Sequence, residues 1–149
     1  MTPDDESAEL EEANARFYRA FEALDLAEMD AMWAHGEHVR CIHPGWSMLE
    51  GWEAVRQSWE AIFKDSREMR FSLGDVQARV AGDTAWVTLN ENILQGSGEV
   101  AAGLHDATVA ATNVFVHDER GWRLVVHHGS PVHRPIGDDE DSAGQQEAG

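Results

Sequence analysis

The chain runs to 149 residues with 28 acidic and 11 basic side chains, a formal charge of −17. That length suits one domain, which buries about 70% of its unfolded surface, enough for a real core. The acid excess argues against nucleic-acid binding, since phosphate contacts need clusters of Lys and Arg, and the lone Cys41 rules out an intramolecular disulfide framework.

Taken in chain order, Thr2-Pro3-Asp4-Asp5 supplies a capping hydroxyl, proline at the first helical position and acids in the first turn, so a helix starts there. Leu10, Ala13, Phe17, Ala20, Phe21 and Leu24 follow at three- and four-residue spacing and form an apolar stripe that asks for a sheet beneath it. Asp25 with Glu28 resembles a capping box, which predicts a short second helix carrying Leu26, Met29 and Trp33 and ending at His35-Gly36. Residues 39–43 read as a short strand, in which Cys41 is a small buried hydrophobe. Trp52, Val55, Trp59 and Ile62 share one face of a third helix over 52–64, a stripe read as core.

From Met69 the hydrophobic period drops to two, and strands are predicted over 69–80, 84–94, 104–117 and 122–133. Ala81-Gly82-Asp83 and Asp118-Glu119-Arg120-Gly121 are short enough for hairpins, whereas Gln95-Gly96-Ser97-Gly98 opens a longer connection. Helices first and an antiparallel meander after them give an α+β class, with the helices packed on one face of a strongly curved sheet. Residues 1–135 form the single domain, and Asp138-Asp139-Glu140-Asp141 begins an acidic tail over 136–149 that is expected to be disordered.

The N-terminus lacks a basic segment followed by an apolar one, and no apolar stretch approaches the ~20 residues of a membrane helix, so a cytoplasmic protein with no membrane partner is expected. Lys64 is the only lysine, a bias that with the acid excess fits either a halophilic source or an ordinary acidic, soluble surface.

The order of elements, with Asp25-Leu26 after the first helix, Cys41-Ile42-His43-Pro44, Leu49-Glu50-Gly51-Trp52 and the segment from Trp122 to Ser130, resembles the SnoaL-like branch of the nuclear transport factor 2-like superfamily over about 13–135. The resemblance implies a cystatin-like cone, in which a curved, mixed β-sheet wraps three N-terminal helices around an internal pocket, and frequent homodimers through the sheet's outer face. It implies no single chemistry, since relatives include ketosteroid isomerases, dehydratases, hydrolases and the association domain of calmodulin-dependent kinase.

Carried over residue by residue, the resemblance puts His43, before Pro44, where the isomerases hold an aspartate general base. A neutral imidazole can take a proton near pH 7, although the same residue could simply satisfy a carbonyl at the pocket rim. Asn113 falls where the isomerases use a protonated aspartic acid, and its amide can still donate one bond to an oxyanion. Phe17 occupies the place of their tyrosine, with Tyr18 one position off, which speaks against steroid isomerase activity. His128 aligns with a histidine of the kinase association domain's His-x-His-Arg-Ser segment, whose arginine is Gly129 here.

Strand parity carries the other candidates. His128 shares parity with Trp122, Leu124 and Val126 and is expected in the cavity, with His127 on the opposite face unless a bulge reverses them. Glu91 has the parity of Ala85, Val87, Leu89 and Ile93, so it is either an inward carboxylate in need of a partner or a pleat exposed near the strand end. His35-x-x-His38 and His127-His128 invite a metal, but zinc needs three or four convergent ligands and strand neighbours diverge, so neither metal nor cofactor is expected.

Two functions follow from these residues. One is a cofactor-independent acid–base enzyme of isomerase, dehydratase or hydrolase type, in which His43, Asn113, His128 and Glu91 move protons on a small hydrophobic molecule. The other is a non-catalytic module of the same fold that binds a ligand or dimerises.

Overall fold

Residues 3–94 and 107–133 are described by the structure, a computed structural model. The expected Thr2 cap, the 95–98 connection, the start of the strand expected from 104, and the acidic tail over 136–149 lie outside the described residues.

Three helices precede most of the sheet: α1 (Pro3–Ala23), α2 (Leu26–Met32), β1 (Arg40–Ile42), β2 (Leu49–Glu50), α3 (Trp52–Asp65), β3 (Arg70–Ala81), β4 (Thr84–Leu94), β5 (Thr108–Asp118) and β6 (Gly121–Pro131). The six strands form one open sheet in the order β2-β1-β6-β5-β4-β3. All neighbours are antiparallel except β1 on β6, so the sheet is mixed and the class is α+β. Parallel pairing requires a long crossover, and everything from β2 to β5 serves as that crossover.

Local chemistry sets the breaks. Asp25 is extended (φ −101°) and its carboxylate accepts the Glu28 N–H at 3.1 Å, which caps α2. The helix then stops at Met32, short of Trp33 and of the end expected at His35-Gly36. Trp33 turns extended and bridges Leu124, and the next N–H, that of Ala34, donates to the Leu124 carbonyl at 2.9 Å. Gly51, at φ 90° and ψ 148°, carries the chain from β2 into α3 while its N–H donates to Val39 O at 2.9 Å.

Two bulges curl the sheet around the helices. One falls between Gly74 and Gln77 on β3, where Asp75 has φ 52°. The other inserts Val125 into β6, between the pairs Val126–Val114 and Leu124–Phe115. A bulge adds a residue and increases local twist, and it reverses side-chain parity beyond itself. Trp122 and Leu124 therefore face inward before the bulge, and His127 and Gly129 face inward after it.

The helices fill the concave face. Phe17, Phe21, Trp33, Trp59, Phe115 and Leu124 form its centre, all buried. Phe17 and Phe21 meet the Trp59 ring edge-on at 5.8 and 4.9 Å, the geometry aromatic quadrupoles favour. Asp30 on α2 and Arg56 on α3 pair at 3.0 Å on the outside, a half-exposed contact of small energetic weight.

Candidate active site

The helices do not fill the cone completely. At its open end a cavity of about 370 Å³ remains, lined mainly by apolar side chains, among them Phe21, Trp46, Met69, Phe71, Ile93 and Val109. Three titratable residues, His43, Glu91 and His127, also line it.

Each arrives by a clear route. Glu91 is the inward residue after Ala85, Val87 and Leu89 on β4 and is only 3% exposed, so the inward alternative holds. His43 follows β1 and is also buried, its ring edge-on to Trp59 at 4.7 Å. His127, not His128, enters the cone from β6 because of the Val125 bulge. The expected placement of His128 is thus corrected: it is exposed on the outer face, in a separate hollow with Asp75, Asn90, Thr112 and Ser130.

Asn113 is fully buried behind the cavity and organises it. Its Nδ2 donates to Asn14 Oδ1 at 2.9 Å and to the Tyr18 hydroxyl at 3.2 Å. Its Oδ1 is left as an acceptor for His127 Nδ1 at 2.6 Å, which makes Nδ1 the protonated ring nitrogen and leaves a lone pair on Nε2. Tyr18 passes the polarity on by donating its own hydroxyl to Glu91 Oε2 at 2.5 Å. The chain from histidine to amide, phenol and carboxylate is complete, and each member is buried.

A second, shorter chain fixes His43. The Ser58 hydroxyl donates to Val55 O at 2.6 Å, so its oxygen can only accept from His43 Nε2 at 2.9 Å, and Nδ1 becomes the basic nitrogen. Cys41 lies beside this ring, its sulfur 3.5 Å from Nε2, and burial raises the thiol above its ordinary pKa.

Electrostatics follow from these environments. Burial pushes the Glu91 carboxyl up to about 7, against the opposing pull of the Tyr18 hydrogen bond. Burial lowers His43 to about 4, and burial, reinforced by His43 and His128, lowers His127 to about 3. The Tyr18 phenol is raised well above its ordinary value by burial and then by the Glu91 charge. His127 Nε2 and Glu91 Oε2 are 4.0 Å apart, and because burial keeps the imidazole neutral and favours the protonated carboxyl, the two do not form an ion pair. That gap is too long for a direct hydrogen bond and wide enough for one ligand oxygen to touch both groups.

Asn14 and Ser58 were not singled out from the sequence, and Tyr18 and His127 were placed off the site, His127 with the proviso that a bulge would reverse it. Asn14 and Tyr18 are four apart and continue from Leu10, so two polar residues interrupting the buried side of α1 were the available signal. The tyrosine one position from Phe17 does reach the polar centre, because both residues are buried where α1 is covered on two sides. Gly129 cannot take the arginine of the kinase segment in place: a Cβ there would lie 2.9 Å from Val109 Cγ1 and 3.3 Å from Pro44 Cγ. Among the described residues no group of three His, Cys, Asp or Glu side chains is placed to hold a metal.

The family model of the SnoaL-like domain matches residues 10–134. The chain belongs to the SnoaL-like family. Among solved structures it is similar to a nuclear transport factor 2-like protein from Streptomyces avermitilis provisionally described as a dehydratase (38% identity, 89% of this chain and 99% of that one, TM-score 0.81). It is also similar to a Thiobacillus denitrificans protein provisionally described as a calcium/calmodulin-dependent protein kinase type II association domain (34% identity, 83% and 94% coverage, TM-score 0.73). A Shewanella frigidimarina protein provisionally described as a ketosteroid isomerase shares the fold at 16% identity and TM-score 0.66. The F-box protein SKIP8 of Arabidopsis thaliana is 28% identical over 117 residues, 78% of this chain, and the SnoaL-like chain spans 47% of that protein's length.

Proposed function

We propose that this SnoaL-like domain is a cofactor-independent acid–base enzyme acting on an uncharged, mostly apolar small molecule that carries a carbonyl and a hydroxyl group. The observation that carries the reading is a carboxyl held near neutral pH, Glu91, facing the basic nitrogen of a neutral imidazole across 4.0 Å in an apolar cavity. Groups with opposed roles and a shared gap are what proton shuffling requires; the Glu91 carboxyl lies near the working pH, which serves it best, whereas burial leaves the two imidazoles as weak bases. Among the described residues the cavity lining contains no Lys or Arg, which favours a ligand without a net negative charge.

The similarity to a protein provisionally described as a dehydratase favours elimination of water among the acid–base reactions. In that reaction an imidazole, His127 or His43, accepts the proton from the carbon beside the carbonyl. Protonated Glu91 gives its proton to the departing hydroxyl, and the carbon–carbon double bond takes the electron pair. Asn113 and Tyr18 are positioning residues that hold His127 in one tautomer and Glu91 in one orientation.

The test is to follow loss of water by mass spectrometry on uncharged hydroxyketones small enough for the cavity. On a turned-over substrate, Glu91→Gln is expected to lose about a hundredfold or more of kcat. Activity of Glu91→Gln within about tenfold of wild type would exclude the carboxyl as the acid. His43→Ala with full turnover would assign the base to His127 alone.

A second reading is favoured by the 34% identity to the protein provisionally described as a kinase association domain: a module that assembles with copies of itself, a homodimer in the simplest case. Sedimentation of the isolated chain tests it, since a monomer at all concentrations leaves no assembly role. No helix among the described residues is long and apolar enough to cross a membrane.

A further inference from the structure

On the outer face of the sheet, beside the β5–β6 turn, a second hollow of about 370 Å³ is lined by Trp33, His38, Val116, Arg120, Arg123 and the carboxylate-bearing Asp118. Arg123 sits opposite Val116 on β5 and between the inward Trp122 and Leu124, so it projects to the outer face. The residue is 9% exposed. Among the described residues, nevertheless, no carboxylate stands within 4.0 Å of its guanidinium and no acceptor takes a hydrogen bond from it. A guanidinium has five N–H donors in a fixed fork, and because burial falls on the side-chain stem, the Arg123 nitrogens stay open to the hollow.

The neighbouring charges are mostly of the same sign. Burial is the first influence that lowers the Arg123 pKa, and Arg120 and Arg16 add to it against the single opposing charge of Asp118. Asp118 is already used by its own turn, where Oδ1 accepts the Arg120 backbone N–H at 2.8 Å, and Arg16 is paired with Glu28 at 3.1 Å. His35, also at this hollow, is held by Asp30 at 3.0 Å and stacked on Trp52. Arg120 and Arg123 are left as a cationic pair in a chain of net charge −17, and the hollow between them is large enough for a small ion.

We propose that Arg123 and Arg120 bind a small oxyanion, a carboxylate or a phosphate group, in this outer hollow. The planar fork of Arg123 matches two oxygens of such a group, and Arg120 supplies the second charge from the turn. None of these residues lines the inner cavity, so the site stands or falls apart from the acid–base reading.

Thermal unfolding of the full chain tests the proposal, with sodium phosphate and sodium acetate each titrated against sodium chloride at constant ionic strength. Phosphate, acetate or both should raise the Tm of wild type saturably, and the anion that acts identifies the group recognised. Arg123→Gln should abolish the rise, and Arg120→Gln should weaken half-saturation about tenfold, the order expected for one charge-assisted contact. Arg79→Gln, an exposed arginine on β3, should leave the response unchanged. A wild-type Tm that follows chloride, or a full response in Arg120→Gln, overturns the proposal even if Arg123→Gln does not fold. If wild type ignores both anions and Arg123→Gln dissociates an oligomer, a carboxylate of a second copy occupies the fork and the small-ion site does not exist.

Discussion

At Glu91 a carboxyl that ordinarily titrates near 4.5 is held up to about 7 by burial, and this has a defined effect on stability. A raised folded-state pKa means the fold prefers the protonated form. The contribution is present below 4.5 and is lost as pH rises through about 7, at most about 3 kcal/mol. Glu91→Gln keeps an acceptor for Tyr18 without the charge, so it should raise Tm relative to wild type at about pH 8 and match it at about pH 4. A difference independent of pH would show that Glu91 is not the titrating group. His43 and His127 act in the other sense: their depressed values, about 4 and about 3, give stability that is full above the ordinary 6.5 and is lost as pH falls through those values. Asn113→Ala tests the tautomer argument, because it leaves the His127 Nδ1–H and the Tyr18 hydroxyl each short of one partner. It should cost about 1–3 kcal/mol in chemical denaturation. Nitrogen NMR of the imidazole should report a mixture of tautomers where wild type shows Nδ1–H alone.

At the level of elements, Gly51 is the hinge between β2 and α3, and its φ of 90° with ψ of 148° belongs to a region that side chains rarely enter. Gly51→Ala should therefore destabilise by about 1–3 kcal/mol even though the nearest atom to the added Cβ, Glu37 Cα, is a comfortable 3.9 Å away. An unchanged denaturation midpoint would mean the backbone relaxes freely there. Most elements were readable in advance, because helix periodicity in α1 and α3 and alternation in β4 and β5 each persist over three or more repeats. The pairing of Arg40 and Cys41 with Glu50 and Leu49 was not, since two residues cannot display an alternation. The site was legible to the extent that parity held. Glu91 and Asn113 lie on unbroken strands and face where alternation puts them, whereas one inserted residue, Val125, exchanged His127 for His128. The insertion leaves no mark in composition, because Leu124, Val125 and Val126 are all good strand residues and any of them could have been the extra one. Tyr18 and Asn14 were hidden for a related reason: α1 is covered by α2 and by the sheet, so its buried arc is wider than a single apolar stripe.

Over the whole molecule, a net charge of −17 with one lysine sets up self-repulsion that no local pair cancels. The ion pairs on the helices, Arg16–Glu28, Arg19–Glu12 and Arg56–Asp30, are between one third and two thirds exposed and add little. Screening should therefore stabilise the fold: the Debye length shrinks from about 30 Å near 0.01 M salt to about 3 Å near 1 M, shorter than most distances between the acidic side chains. Tm should rise steadily over that range with sodium chloride, and Asp or Glu to neutral substitutions on exposed α1 positions such as Glu11 should reproduce part of the gain at low salt. This rise is non-saturating and follows ionic strength alone. It therefore differs in form from the response expected at Arg123, which saturates and depends on the anion at fixed ionic strength. A Tm that is flat in chloride would place the acidic residues beyond effective interaction in the native state, and a halophilic origin would then lose its physical basis.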